Sequence, residues 1–295
     1  MKRYLFIMLA IALSTTAFSQ SMKPIFIQDS LKLISSQFEF TEGASVDKQG
    51  NIFFTDQPND QIWKYDTAGK LSLFMDKSGR ANGTYFDKKG NLIVCADEQN
   101  EIWSVSMNKK IKVLFSTYEG KKVNGPNDLW IDAKGGIYFT DPYYQRNYWI
   151  RKASALNGEK VYYLPKGKNT AKIVADKMVR PNGIVGTPDG RYLYVADRQA
   201  DVTYRYDINS DASLSNQTLL FKQGSDGMTL DIDGNIYITG KGVDIYRPNG
   251  EKISHIDVPE DWCGNICFGG PNRDTLFITA SKSLYSIKTT TKGVE

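Results

Sequence analysis

Glu42, Asn82, Asn127, Asn182, Asp226 and Asn265 each open a short strand-like run, and the first five stand eight residues before a turn glycine: Gly50, Gly90, Gly135, Gly190 and Gly234. Asn265 lies eight before Arg273, in the turn Asn272-Arg273-Asp274. Every one of these positions carries a side-chain oxygen and none is apolar. Carboxylate and carboxamide oxygens gathered in one place form the shell that a hard cation requires. Asn or Asp before glycine is also ordinary turn chemistry, and Asn82-Gly83, Asn182-Gly183 and Asp226-Gly227 would each read that way alone. Glu42-Gly43 would not, since Glu is a poor turn former, and the shared register points to one converging ring.

The elements that position this ring follow from the spacing. The turn glycines are separated by 40, 45, 55 and 44 residues, a period of propellers or solenoids. The first unit contains Gly43-Ala44-Ser45-Val46, Ile52-Phe53-Phe54-Thr55-Asp56, Ile62-Trp63-Lys64-Tyr65 and Leu71-Ser72-Leu73-Phe74. These β-branched and aromatic runs are separated by Gly and Asp turns, and no helical period is sustained. The expected fold is all-β: a six-bladed β-propeller with four antiparallel strands per blade. The sixth unit supplies about three strands, so the segment Ile25 to Ile34 is expected to add the missing outer strand and close the ring. Ala155 to Asn169 reads as an insertion in blade three.

In such a hairpin the start of the first strand and the end of the second lie at the same end. The donor ring therefore shares a mouth with Asp56, Asp97, Asp141 and Asp197, which end second strands. Most of these aspartates are expected to bind loop amides and the rest to orient ligands. Asp128, next to Asn127, belongs to the same surroundings. Among the loops, Tyr143-Tyr144 and Tyr148-Trp149 read as part of the pocket wall or, alternatively, as core packing.

Residues 1–19 read as a secretory signal: basic Met1-Lys2-Arg3, an apolar core, and Ala17-Phe18-Ser19 before a cut near Ser19/Gln20. The expectation is a mature chain, residues 20–295, forming one domain in the periplasm or outside the cell, without a membrane span. A net charge of +4 without basic runs gives no case for nucleic acid, and a monomer is expected. Cys95, Cys263 and Cys267 read as buried hydrophobes rather than a zinc site.

Glu42-Gly43-Ala44, Gly125-Pro126-Asn127-Asp128-Leu129, Arg180-Pro181-Asn182-Gly183-Ile184, Ser225-Asp226-Gly227-Met228 and Cys267-Phe268-Gly269-Gly270-Pro271 together resemble the senescence marker protein/gluconolactonase family across the mature chain. The resemblance implies propeller lactonases with an axial divalent cation, related to diisopropylfluorophosphatase. It places the metal ligands on Glu42, Asn127, Asn182 and Asp226, and the catalytic carboxylate on Asp226. Asn82, Asn265, Asp128, Asp141 and Tyr143 are then expected to contact substrate or support the ligands. Animal members of the family carry a sugar-holding arginine where this chain has Gly125, which sets its specificity apart.

An all-oxygen set suits Ca2+ first, with Mg2+, Mn2+ or Zn2+ as alternatives. Such a metal would polarise a lactone carbonyl while a carboxylate activates water. The single histidine, His255, falls on an outer strand, and no Gly-x-Ser-x-Gly elbow is present. The sequence thus reads as a metal-dependent hydrolase of a small-molecule lactone or ester. A non-catalytic binding propeller and a phosphotriesterase-like hydrolase are the alternatives.

Overall fold

The computed structural model describes residues 24–295 except Gln28, and the expected leader lies outside the described residues. Six four-stranded antiparallel sheets form the blades of a propeller. Blade one comprises Thr41–Val46, Ile52–Asp56, Gln61–Tyr65 and Leu71–Asp76, from the axis outward. Blade two runs from Ala81–Phe86 to Ile111–Phe115, and blade three from Leu129–Ile131 to Lys172–Met178. Blade four runs from Pro181–Gly186 to Leu214–Phe221, and blade five from Met228–Leu230 to Lys252–Ile256. Blade six stacks Cys263–Gly269, Thr275–Ala280 and Ser283–Lys288, and its outer strand is Lys32–Ser35 from the other end of the chain, as the sequence suggests. Among the described residues, no helix is long and apolar enough to cross a membrane.

The continuous apolar character of the second strands has a simple cause. Successive side chains on a strand point to opposite faces, and both faces of a blade are covered by neighbouring blades. Ile52 and Phe54 pack toward blade six with Cys267 and Phe277. Phe53, between them, packs toward blade two with Leu92, Val94 and Ala96. Ile93 and Cys95 in turn face blade three with Phe139 and Tyr162. The core is thus divided among the interfaces between blades, and burial of apolar surface there fixes how the inner strands converge. All three cysteines are buried within it and unpaired.

One boundary differs from the sequence reading. The extra chain in blade three is 142–158, between Ile137–Asp141 and Glu159–Leu164. Glu159–Leu164 is an interior strand of that sheet, and only the lysine-rich turn after it gives the segment the appearance of a loop. A short hairpin, Thr117–Tyr118 with Lys121–Lys122, also joins blades two and three.

Candidate active site

The donor residues sit where strand pairing breaks. Register shifts interrupt the first hairpin between Glu42 and Ser45 in blade one, Ala81 and Thr84 in blade two, and Pro181 and Ile184 in blade four. In blades three and five, regular pairing begins only after Asn127 and Asp226. Such irregularities re-aim a side chain out of the sheet's alternation. Here they turn Glu42, Asn82, Asn127, Asn182 and Asp226 into one cavity of about 550 Å³ at the axial mouth.

The glycines beside the donors have a different task from turn formation. A Cβ on Gly43 would meet the Asn82 carbonyl oxygen at 2.0 Å, and one on Gly83 would meet Asp128 Oδ1 at 2.5 Å. Gly183 abuts the Asp226 backbone, Gly227 abuts Asn265, and Gly264 abuts the Glu42 carboxylate at 2.8 Å. Each glycine leaves room for the donor of another blade, so the ring closes as tightly as backbone contact allows.

The electrostatics within the ring are unfavourable for carboxylates without a cation. Burial, then Asp226, then Asp128 push the Glu42 carboxyl well above the usual carboxylate range. Burial likewise raises Asp226, against the opposing effects of its Trp262 hydrogen bond and the Arg198 charge. Asp226 Oδ1 accepts from Asn182 Nδ2 at 2.6 Å and Oδ2 from Trp262 Nε1 at 2.6 Å. Among the described residues, Asn182 Oδ1 is buried with no hydrogen-bond partner. A buried unpaired acceptor beside two crowded carboxylates fits a hard cation, so Glu42, Asn127, Asn182 and Asp226 are the residues that could hold one.

The remaining expected residues divide. Asn82 lines the cavity, whereas Asn265 does not: its Oδ1 accepts from Ile266 N at 2.7 Å and its amide meets Asp128. Asp128 is buried, accepts from Leu129 N at 2.9 Å, and is pushed up by burial to about 7. Asp141 accepts from Asn124 N at 2.9 Å and Gly125 N at 2.8 Å, so it holds the loop that carries Asn127. Asp56 and Asp197 bind loop amides in the same way. Asp97 departs from them: Oδ2 accepts from Arg146 Nε at 2.9 Å and from the Tyr148 hydroxyl.

Of the two adjacent tyrosines, Tyr144 and not Tyr143 faces the cavity. Tyr143 turns outward, donating to Gln145 Oε1 at 2.7 Å, and the Arg151 guanidinium lies over its ring. The Tyr144 hydroxyl accepts from Asn182 Nδ2 at 3.2 Å. The 142–158 segment also explains Gly125: a Cβ there would lie 2.8 Å from Asp97 Oδ1 and 2.9 Å from the Trp149 ring. Trp149 fills the space, and the same segment returns a guanidinium to the cavity in Arg146.

Sequence reasoning missed Arg146, Arg180, Arg198 and Trp262, all of which line the cavity. Two signals were available. Arg180 stands two residues before Asn182, and Arg198 directly follows Asp197 at a second-strand end. His255 sits on the outer strand of blade five with Nδ1 at 2.5 Å from Asp244 Oδ1, outside the cavity.

The fold and site define a propeller with an oxygen-lined axial mouth, of the kind seen in lactonases. The chain belongs to the SMP-30/gluconolactonase/LRE-like family, whose profile matches residues 40–282. It is 30% identical to a gluconolactonase of Zymomonas mobilis, over 94% of this chain and 86% of that protein. It superposes on a gluconolactonase from Xanthomonas campestris with a TM-score of 0.83 at 23% identity, covering 91% of this chain and 96% of the other. A calcium-binding regucalcin from Agrobacterium tumefaciens gives a TM-score of 0.75 at 17% identity, covering 88% and 94%, and shares the fold.

Proposed function

We propose that this protein is a metal-dependent hydrolase of lactones or closely related esters, with calcium as its metal. The observation that carries the reading is the shared mouth: Asn182 Oδ1 buried without a partner, beside the carboxylates of Glu42 and Asp226. The gluconolactonase relative, matched over nearly the whole chain, supports the choice of a lactone. Glu42, Asn127, Asn182 and Asp226 would hold the ion. When bound, it would supply positive charge that polarises the lactone carbonyl and stabilises the oxyanion.

The chain's own groups supply the rest. Trp262 Nε1 and Asn182 Nδ2 fix the Asp226 carboxylate in orientation. Held in that orientation, the carboxylate is placed to take a proton from water. Attack forms a bond from the water oxygen to the carbonyl carbon, the ring C–O bond breaks, and the proton taken by Asp226 passes to the departing alkoxide. His255 takes no part.

The deciding experiment assays aldonolactones, alkyl lactones and phosphotriesters with calcium and with chelator. Lactone turnover that vanishes with chelator and returns with calcium is the expected result. Turnover indifferent to chelator, or confined to phosphotriesters, overturns the reading. Residues 1–19 are proposed as an export leader, tested by whether the N-terminus of protein recovered from the periplasm or medium is Gln20.

A further inference from the structure

Three guanidinium groups, from Arg146, Arg180 and Arg198, border the cavity, and they are not equivalent. Arg146 Nε is tied to Asp97 at 2.9 Å, with the guanidinium over the Tyr144 ring at 5.5 Å. Arg180 Nε lies 3.5 Å from Glu159 and stacks over the same ring at 4.9 Å. Each therefore has its own carboxylate. Among the described residues Arg198 forms no such close ion pair, and the carboxylate that feels its charge is Asp226. Its guanidinium lies over the Trp262 ring at 4.3 Å, and Trp262 in turn donates to Asp226. A guanidinium lying over an indole ring leaves its N–H donors available, and such donors match an oxyanion in bidentate fashion.

The charges in the mouth point the same way. Glu42 and Asp226 would offset a divalent cation, while Asp97 and Glu159 offset Arg146 and Arg180. Arg198 is left with no carboxylate of its own, only the longer-range charge of Asp226, on which a bound cation would also draw. We propose that the mouth selects lactones carrying a second, anionic group (a carboxylate, sulfonate or phosphate away from the scissile carbonyl) and that Arg198 is the residue that binds it. The Trp262 ring beneath it sets the distance between this anion subsite and Asp226. The proposal rests on the lactonase reading for its substrate but not for its anion subsite.

The test compares gluconolactone with counterparts whose terminal hydroxymethyl is replaced by a carboxylate, a sulfonate or a phosphate. The measured quantity is the ratio of kcat/KM, acidic over neutral, within one protein sample, so that a partly folded variant does not distort it. A charge-assisted contact of this kind predicts a ratio of about 10 to 100 in the unmodified protein. Arg198→Gln is expected to collapse the ratio toward unity and Arg198→Lys to restore part of it. The three anions separate a general charge preference from a fit to one geometry, and either supports the subsite. Titration calorimetry with methyl glucuronide and methyl glucoside provides an arm that needs no hydrolysis. If no lactone is turned over but the glucuronide binds tighter in an Arg198-dependent way, the hydrolase reading fails and the subsite stands. A ratio near unity in the unmodified protein, or one unmoved by Arg198→Gln, overturns the proposal.

Discussion

At the turn end of the channel, Asp47 Oδ1 accepts from Gln49 N and Asn51 N at 2.9 Å each, and its Oδ2 accepts from Asn51 Nδ2 at 2.7 Å. Asp87 and Asp231 repeat the pattern with Asn91 and Asn235. At the other end, Glu42, Asn127, Asn182 and Asp226 face a cavity, with one buried acceptor unmet and the carboxylates crowding each other. The residue types are nearly the same. At the turn end these three carboxylates are held by their own loops, which stabilises the blades. At the donor end, irregular pairing and close-packed glycines withhold local partners, and the cost in folding is offset only when a ligand arrives.

This contrast breaks most sharply at Asp226. Asp226→Asn is expected to lower lactone kcat by about 100- to 10,000-fold through loss of the base. The thermal midpoint of the metal-free protein should hold or rise, because a buried carboxylate is gone; a drop in both would show that Asp226 is structural after all. Glu42→Gln is expected to weaken calcium binding on the order of tenfold or more, since ligand charge sets affinity in such sites. Calorimetry of calcium binding reads it directly.

The opposite mouth should give the opposite result. Asp47→Ala is expected to cost about 1–3 kcal/mol of unfolding free energy by stranding its amide partners, with kcat of the folded fraction unaltered. Denaturant melts and active-site titration together separate the two effects. A smaller effect is expected at Glu295, near the turn end beside Tyr85, whose carboxyl is pushed up by burial to about 7. Its folded-state value lies above its unfolded one, so the folded protein binds the extra proton. The contribution is complete below the ordinary glutamate range and is lost as pH rises toward 7. Glu295→Gln should flatten the fall in thermal midpoint over that window. His255→Ala, on an outer strand against Asp244, should leave turnover unchanged.

The six blades, and the meeting of Glu42, Asn82, Asn127, Asn182 and Asp226 at one mouth without Asn265, were legible because both depend on register. The residue eight before each turn glycine must return to the same mouth once the hairpins form, whatever the loops do. What lay hidden was decided by loops and by packing between blades. Tyr143 and Tyr144 are equivalent in sequence, and only the fold of 142–158 against Asp97 turns Tyr144 inward. Gly125 read as a missing arginine, but Trp149 occupies its space and Arg146 arrives from the insertion. Arg198 and Trp262 lie far apart in sequence and meet because the loop after blade four's second strand and the connection from blade five to blade six both reach the mouth. The glycines flanking the donors looked like turn residues, and their true constraint, contact with another blade's donor, has no local signature.

The pairing of Lys32–Ser35 with Ser283–Lys288 has a consequence for how the molecule comes into being. The outermost strand of blade six is made before every other strand of the propeller, and its partner after the five other blades. During synthesis the five preceding blades can assemble from neighbours in sequence, yet the circle stays open until the final strands emerge. Joining such distant segments carries the largest loop-closure penalty in the fold and makes it a slow, late event. Until then the growing polypeptide has an arc and no complete ring, so Glu42 in the first blade and Asp226 in the fifth are held on a frame that has not yet shut.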